Sequence, residues 1–368
     1  MALTQAAVRR RSTWWSWVLA VAGIYLALLL GPVAGFDVPR IVREIAANPQ
    51  LLVQQLLVGL ANGSIVAIIA LGYTMVYGIL ELINFAHGDL FMLGVFASLS
   101  VIGTMGVTHE SPALAIAGAI ILAFLVASAF CAALNVLIER LAYRRLRNAP
   151  RLAPLISAIG VSFILINIGL YWGGLRTIFP FMGTNAAAPK NFPDLIPRID
   201  LLKSLGIETS IVFTTKDLAV IAMAAVLMVA LRLFVQRTRL GKAMRATAQN
   251  RDAALMVGIN VDQVIALTFL IGGALAGAAG LMVGLYNNTA HFTMGFTAGL
   301  RAFTAAVLGG IGNITGAMLG GLLIGLLSAL SDQYLSARWT DAWVFAILVL
   351  ILVFRPTGLL GERAAEKA

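Results

Sequence analysis

"GSIVAIIALGYTMVYGIL" (63–80) and "LFMLGVFASLSVIG" (90–103) are apolar runs that flank the polar hexapeptide "NFAHGD" (84–89). Helical runs of about 18–20 apolar residues are long enough to cross the hydrocarbon core of a bilayer. Of the 368 residues, 60% are hydrophobic and only 11% are charged, whereas soluble domains carry about 25% charged residues. Because the sequence also lacks the alternation typical of a membrane β-barrel, these features predict an all-α, polytopic membrane protein.

Further apolar segments along the chain set the expected number of spans. The segments lie at 53–80, 90–107, 112–138, 154–173, 218–235 and 263–286, followed by a glycine-rich region at 298–334 and a last span at 341–354. Since "GGIGNITG" (309–316) interrupts the glycine-rich region, we expect that region to cross the membrane twice with a break in between. Together with a span at the amino terminus, nine or ten membrane segments are predicted.

Residues 1–50 are predicted to form an extension with an additional span at 14–31. Three arginines precede this span, and the tryptophans within "WWSW" (14–17) resemble anchors at a membrane interface. A cleaved signal peptide is the competing interpretation, but a convincing cleavage site is missing from the sequence. We therefore expect an uncleaved span with a cytoplasmic amino terminus.

The formal net charge of +10 is concentrated in short loops between apolar runs. Segment 139–151 holds five arginines against one glutamate, and segment 232–262 holds six basic residues against two acids. An excess of arginine and lysine marks cytoplasmic loops, so both segments and the tail at 363–368 are predicted to be cytoplasmic. Loop 174–217 is nearly balanced in charge and is predicted to be external. This distribution argues for a lipid bilayer, and against a nucleic acid, as the partner of the positive charge.

The sequence offers little that would support enzymatic chemistry. It contains neither a phosphate-binding Walker A loop nor a G-x-S-x-G nucleophile elbow. The three histidines, His87, His109 and His291, are far apart in the sequence, so metal ligands do not cluster. The single cysteine, Cys131, excludes an intramolecular disulfide. We expect a protein that is not an enzyme and holds neither a metal nor a cofactor.

The arginine-rich segment 232–262 contains "DAALMVG" (252–258), an acid and two alanines followed after three residues by a glycine. A related pattern occurs in a cytoplasmic loop of ABC-importer permeases. Two alanines allow a short helix to approach a groove closely, and a glycine lets the chain turn after it. The candidate residues for coupling to an ATPase are Arg245, Arg251, Asp252, Ala253, Ala254 and Gly258. An ordinary basic loop with an amphipathic helix is the alternative interpretation.

Polar or glycine-rich breaks between apolar runs are candidates for a substrate path or gate, because irregular backbone at membrane depth requires cover by protein or a water-filled cavity. The candidates in "NFAHGD" and "GGIGNITG" are Asn84, His87, Asp89, Gly309, Gly310, Gly312 and Asn313. For "NFAHGD" two interpretations remain open, a tight structural turn and the lining of a gate. A proton relay through His87 is disfavoured, because other spans do not continue a chain of acids and histidines.

Several long segments together resemble one family, the transmembrane permeases of branched-chain amino acid ABC importers. They are "IALGYTMVYGILELINFAHGD" (69–89), "RLAPLISAIGVSF" (151–163), "GKAMRATAQNRDAALMVGINVDQVIALTF" (241–269), "RAFTAAVLGGIGNITGA" (301–317) and "FRPTGLLG" (354–361). The resemblance covers about residues 50–362, which implies a permease domain at 51–362. Two features depart from it. Residues 1–50 exceed the shorter forms of the family, and the apolar-proline element expected after Gly258 is missing.

The resemblance implies a subunit of a larger machine in the bacterial inner membrane. A periplasmic binding protein would deliver branched-chain amino acids, and this chain would pair with a second, related permease or with itself. Two partner subunits would bind and hydrolyse ATP. The resemblance implies that "NFAHGD" is part of the permease scaffold. Alternatives are a permease for urea or short amides, an ion-coupled secondary transporter, and a structural or assembly protein of the membrane.

Overall fold

The computed structural model describes residues 38–361, apart from positions 81, 83, 148, 151 and 356. The predicted span 14–31 and the tail at 363–368 lie outside these residues. The helices are, in chain order, α1 (Val38–Ala47), α2 (Pro49–Leu80), α3 (Ala86–Met105), α4 (Ala113–Ile138), α5 (Leu152–Gly173), α6 (Leu201–Ser204), α7 (Thr215–Arg237), α8 (Arg239–Gln249), α9 (Arg251–Met256), α10 (Val261–Asn287), α11 (Met294–Gly309), α12 (Ile314–Ser331) and α13 (Thr340–Phe354). One short antiparallel pairing joins β1 (Lys190–Asn191) to β2 (Thr289–Ala290).

The prediction of an all-α membrane protein is confirmed. Between residues 38 and 361, seven stretches of helix are long and apolar enough to cross a membrane, and α11 is a shorter apolar helix. The longest stretch, Ile314–Phe354, contains both α12 and α13, because a π-helical turn (Asp332–Ser336) and a 3-10 turn (Ala337–Trp339) join them without a break. Counting α11 and α13 separately gives nine apolar helices in the described part of the chain, close to the predicted nine or ten segments.

The connections between helices gather at two ends of the bundle. At one end, Arg144 pairs with Asp262, and Asn313 donates a hydrogen bond to the Leu360 carbonyl. At the other end, Gln54 donates to the carbonyl of Val212, and β1 pairs with β2. The first end carries both arginine-rich segments, so we call it the basic end: segments 139–147, 237–260, 310–313 and 357–361. The predicted external loop 174–217 lies at the opposite end.

Glycines allow the helices at the centre to pack backbone against backbone. A Cβ atom added to Gly63 of α2 would lie 2.8 Å from the Cα atom of Leu322 in α12. A Cβ atom added to Gly94 of α3 would lie 2.9 Å from the Cα atom of Gly277 in α10. Small residues favour this close approach where lipid supplies no hydrophobic force between helices. The fold is therefore a tight bundle in which α3 and α10 are largely buried.

The break predicted within residues 298–334 is present. Helix α11 ends at Gly309 and α12 begins at Ile314, so the two form an antiparallel hairpin. Gly310 and Gly312 have φ values of 106° and 88°, which L side chains rarely adopt. The segment 358–361 closes this end of the hairpin: the backbone amides of Leu359 and Leu360 donate to the last carbonyls of α11.

Candidate gate and coupling loop

Asn84 joins three parts of the chain in a buried hydrogen-bond chain. Its Oδ1 atom accepts a hydrogen bond from the Tyr143 hydroxyl at 3.1 Å, and its Nδ2 atom donates to Asn135 Oδ1 at 3.4 Å. The amide of Asn135 donates in turn to the carbonyl of Phe269 at 2.6 Å. Buried polar networks of this kind fix a unique arrangement, so Asn84 anchors the start of α3 to α4 and α10.

His87 lies in the first turn of α3 and is fully buried. Its ring forms an edge contact with the ring of Tyr73, with centroids 4.8 Å apart. Gly72 leaves the space for it, since a Cβ atom there would lie 2.3 Å from Nε2. Gly72 is eight residues before the end of α2, which places His87 about 12 Å inside the basic end at 1.5 Å per helical residue. The backbone of Ile69 lies close enough to interact with the ring, but no described residue meets full hydrogen-bond geometry with either ring nitrogen. The geometry is that of a packed side chain.

Asp89 is a buried carboxylate at the meeting point of two helix amino termini. It lies in the first turn of α3, where Ser162 of α5 donates a hydrogen bond to Oδ2. A Cβ atom on Gly295, in the first turn of α11, would lie 2.8 Å from Oδ1. The positive ends of two helix dipoles therefore face this carboxyl group, and its Oδ1 atom has no hydrogen-bond partner among the described residues. Gly88 and Gly295 touch through their backbones, which leaves the carboxylate enclosed.

The candidates in the second break have structural partners. Gly309 packs so closely on Gly316 that a Cβ atom would meet the carbonyl oxygen at 2.0 Å. Asn313 caps α12 by accepting a hydrogen bond from the amide of Gly316 at 2.9 Å, and it donates to Leu360 at 2.8 Å. Gly310 and Gly312 supply the turn between the two helices. These residues shape the break, whereas their neighbour Ile311 lines a cavity.

The structure brings the two breaks together at that cavity. It is lined by Tyr73, Thr74, Tyr77, Asn84, Phe303, Ala306, Val307 and Ile311. Its volume is about 10 Å³, close to the minimum that a single water molecule requires. The hydroxyl of Thr74 is buried here without a hydrogen-bond partner among the described residues. We call this cavity the constriction, a name that refers to its small volume. His87, Asp89 and the break glycines do not line it, and the aromatic side chains at Tyr73, Tyr77 and Phe303 were missed by sequence reasoning.

The candidate coupling loop, called the coupling loop below, consists of α8 and α9, each with a side-chain cap at its start. Thr238 accepts a hydrogen bond from the amide of Gly241, and Asn250 accepts one from the amide of Ala253. After α9, Gly258 has a φ of 81°, and Ile259 donates to the carbonyl of Ala254 across it. This arrangement is the Schellman ending of a helix, so Gly258 provides the turn that the sequence indicates.

Ala254 faces the interior of this chain. It is 2% exposed, and it packs in the apolar core. Within this chain, Ala254 therefore fixes α9 to the bundle. Asp252 and Ala253 are exposed, and the adjacent Leu255, Met256 and Val257 are 57%, 87% and 75% exposed. We call Leu255, Met256 and Val257 the apolar patch. Its sequence signal was three apolar residues in a row within a polar loop.

The two arginines of the coupling loop have partners within this chain. Arg245 donates to the carbonyl of Val235, near the end of α7, at 2.7 Å. Arg251 donates to the carbonyl of Ile79, near the end of α2, at 2.7 Å. Within this chain, both arginines hold the loop against the membrane helices.

An ion-pair network that sequence reasoning missed lies beside the coupling loop. Arg147 pairs with both Glu139 and Asp262, and Arg144 also pairs with Asp262. Glu139 is almost fully buried and Asp262 is in the first turn of α10. The network thus ties the first arginine-rich segment to the exit of the coupling loop. The two segments are more than a hundred residues apart in sequence, which is why pattern alone did not reveal it.

The opposite end carries a smaller cluster around Lys216. Its ammonium group contacts Asp194 at 2.6 Å and the Asn288 side chain at 2.6 Å. Burial alone would raise the pKa of Asp194, but the hydrogen bond and charge of Lys216 hold that pKa below its usual range. Asp194 also lines a cavity of about 320 Å³ between the loop 106–109 and the loop that contains Phe181. The cluster therefore fixes the long loop 174–217 to the helix ends.

Comparison with known proteins identifies the family. A family model described as the permease component of a branched-chain amino acid transport system matches residues 55–353. The high-affinity branched-chain amino acid transport system permease protein LivH of Escherichia coli K12 is 41% identical over 317 residues, covering 85% of this chain and 97% of the relative. The corresponding protein BraD of Pseudomonas aeruginosa is 41% identical over 317 residues with the same coverage. A probable LivH of Methanocaldococcus jannaschii is 27% identical over 222 residues, 59% of this chain and 61% of the relative.

No solved structure matches this chain. The family match extends over most of the described helices, including both breaks and the coupling loop, and the helices long enough to span a membrane lie within or next to it. This multi-pass membrane protein belongs to the family of branched-chain amino acid ABC transporter permeases.

Proposed function

We propose that this chain is the membrane-spanning subunit of a bacterial ABC importer for branched-chain amino acids. A periplasmic binding protein delivers the cargo, and two partner subunits bind and hydrolyse ATP. The chain pairs with a second permease, a related subunit or a second copy of itself. It supplies the path and the coupling surface, and it needs no cofactor of its own.

The observation that carries this proposal is the coupling loop at the basic end. Helices α8 and α9 are capped and fixed to the bundle through Ala254, Arg245 and Arg251, and the apolar patch remains exposed on their outer side. An exposed apolar patch next to polar groups is typical of a protein–protein contact. A rigid support under such a patch suits a subunit that must transmit force from a partner. An ion-coupled transporter has no need of this feature.

The orientation follows from the charges. The basic end is cytoplasmic in this proposal, because arginine-rich loops remain on the cytoplasmic side, and the amino terminus lies on the same side. Single cysteines at Leu141 and Leu240, which are exposed at the basic end, would resist an impermeant thiol reagent in intact cells carrying Cys131→Ala. A cysteine at the exposed Leu205 at the opposite end would react. The reverse labelling pattern would contradict this orientation.

The cargo is tested by competition in cells that express this chain with its ATPase subunits and binding protein. Uptake of labelled leucine should be reduced by excess isoleucine or valine and should persist in excess urea. Cells without this chain are the control. Uptake of labelled urea that leucine does not reduce would instead support a permease for urea or short amides.

A further inference from the structure

The end of α2 forms one wall of the constriction. Tyr73, Thr74 and Tyr77, in the last two turns of α2, all line it. In the same turn, Gly78 approaches the second break: a Cβ atom there would lie 3.1 Å from the Cα atom of Gly312. A shift of this helix end would therefore change the width of the constriction directly.

The carbonyl groups of the last helical turn lack partners within their own helix. At the end of α2, the carbonyl of Ile79 accepts a hydrogen bond from Arg251, which is 172 residues further along the chain. A cation at a helix carboxyl terminus is favoured by the helix dipole as well as by the hydrogen bond. The guanidinium group thus binds the coupling loop to the wall of the constriction.

Arg251 is also rigidly connected to the apolar patch. It is the first residue of α9, whose six residues end at Met256. Asn250 caps the start of this helix, and Ala254 anchors its middle in the core. Movement imposed on the patch at one end of α9 would therefore reach Arg251 at the other end without being absorbed by a flexible linker.

We propose that Arg251 is a positioning residue that transmits movement of the coupling loop to the constriction through the Ile79 carbonyl. This inference rests on the proposed function, in which a partner moves the loop. In this inference the cargo path runs past the constriction, which at about 10 Å³ has no room for an amino acid, so passage requires the end of α2 to move. Arg251 is the link between the loop and that helix end.

Arg245 provides a matched control. It lies in the same loop and also donates to a backbone carbonyl at 2.7 Å, but its partner is Val235 near the end of α7. Val235 does not line the constriction. Arg245→Met and Arg251→Met each remove one guanidinium group and one hydrogen bond. Only the second change breaks the connection to the constriction.

The test uses the assembled complex with its ATPase subunits in proteoliposomes. ATP turnover and cargo uptake are measured together for wild type, Arg251→Met, Arg251→Lys and Arg245→Met. Hydrogen bonds from charged donors are strong enough to shift a two-state equilibrium by about tenfold to a hundredfold. We expect Arg251→Met to lower uptake per ATP hydrolysed by about tenfold or more and Arg251→Lys to restore part of it. Arg245→Met loosens the loop only at α7, so it should lower the ratio clearly less than Arg251→Met does.

A second measurement does not require cargo. Ile311 lines the constriction and is 37% exposed, so Ile311→Cys in a Cys131→Ala background reports on its width. Reaction of this cysteine with a small thiol reagent should change when a non-hydrolysable ATP analogue is added. Arg251→Met should abolish that change. In the same variant, a cysteine that replaces Met256 should still be protected from the thiol reagent by the bound ATPase.

Each result has a defined meaning. An unchanged ratio of uptake to ATP turnover in Arg251→Met, or an unchanged nucleotide response at Ile311→Cys, would overturn the inference. Equal losses in Arg245→Met and Arg251→Met would overturn it as well, because the arginines would then only hold the loop in place. A wild-type chain that binds no ATPase would contradict the proposed function, and this is established before any variant is compared. If Arg251→Met fails to insert, Arg251→Gln takes its place and is judged by the same criteria.

Discussion

Met256 in the apolar patch is the side chain whose replacement should weaken binding of an ATPase subunit most clearly. It is 87% exposed in this chain. Full burial of a methionine side chain stabilises an interface by about 1.5–3 kcal/mol, so burial of the exposed fraction contributes about 1.3–2.6 kcal/mol. We expect Met256→Ser to weaken ATPase binding by about tenfold to eightyfold, since about 1.4 kcal/mol corresponds to a factor of ten.

The assay is titration of the purified ATPase subunit against the tagged chain in detergent, with thermal unfolding measured in parallel. The midpoint of unfolding of the isolated chain should stay the same, because Met256 makes little contact within it. Leu205→Ser is the matched control, since Leu205 is 75% exposed but lies at the opposite end. Wild-type affinity in Met256→Ser, or an equal loss in Leu205→Ser, would refute the reasoning.

Three further predictions concern packing. Ala254→Trp should lower the unfolding midpoint of the isolated chain, because Ala254 is 2% exposed and overpacking costs about 1–3 kcal/mol; an unchanged midpoint would contradict the inward orientation. Gly321→Ala should destabilise the chain, since its Cβ atom would lie 2.5 Å from the backbone of Ala67. Gly160→Ala is the control, because its Cβ atom would meet open space. Similar unfolding midpoints of the two variants would argue against the α2–α12 contact. His87→Asn and His87→Gln should keep much of the uptake without a step near neutral pH, and complete loss in properly inserted variants would show that the imidazole itself is required.

The sequence predicted the helices and their breaks because those signals are local. Apolar length fixes a span, and Gly310, Gly312 and Asn313 mark the turn between α11 and α12 through backbone freedom and capping. The orientation of α9 is different. Whether Ala254 or Met256 faces the bundle depends on which helix lies behind it, and the sequence of the loop does not contain that information.

The partners of the candidate residues were also beyond sequence reasoning. The bond from Arg251 to the Ile79 carbonyl and the chain from Tyr143 through Asn84 to Asn135 join residues that are distant in sequence. They exist because α2, α4 and α10 converge at the start of α3. Within "NFAHGD", Asn84 lines the constriction, whereas His87 and Asp89 are enclosed beside it. A gate role for Asn84 stays a prediction.

The central claim is that partner ATPases drive amino acid movement through this chain. It is tested most directly by uptake of labelled leucine into proteoliposomes that contain this chain, a second permease and the ATPase subunits, with the binding protein outside and the nucleotide enclosed. We predict uptake with enclosed ATP, none with a non-hydrolysable analogue, and no effect of ionophores that dissipate proton and sodium gradients. Uptake that proceeds without ATP and stops when the ion gradients are dissipated would contradict the account.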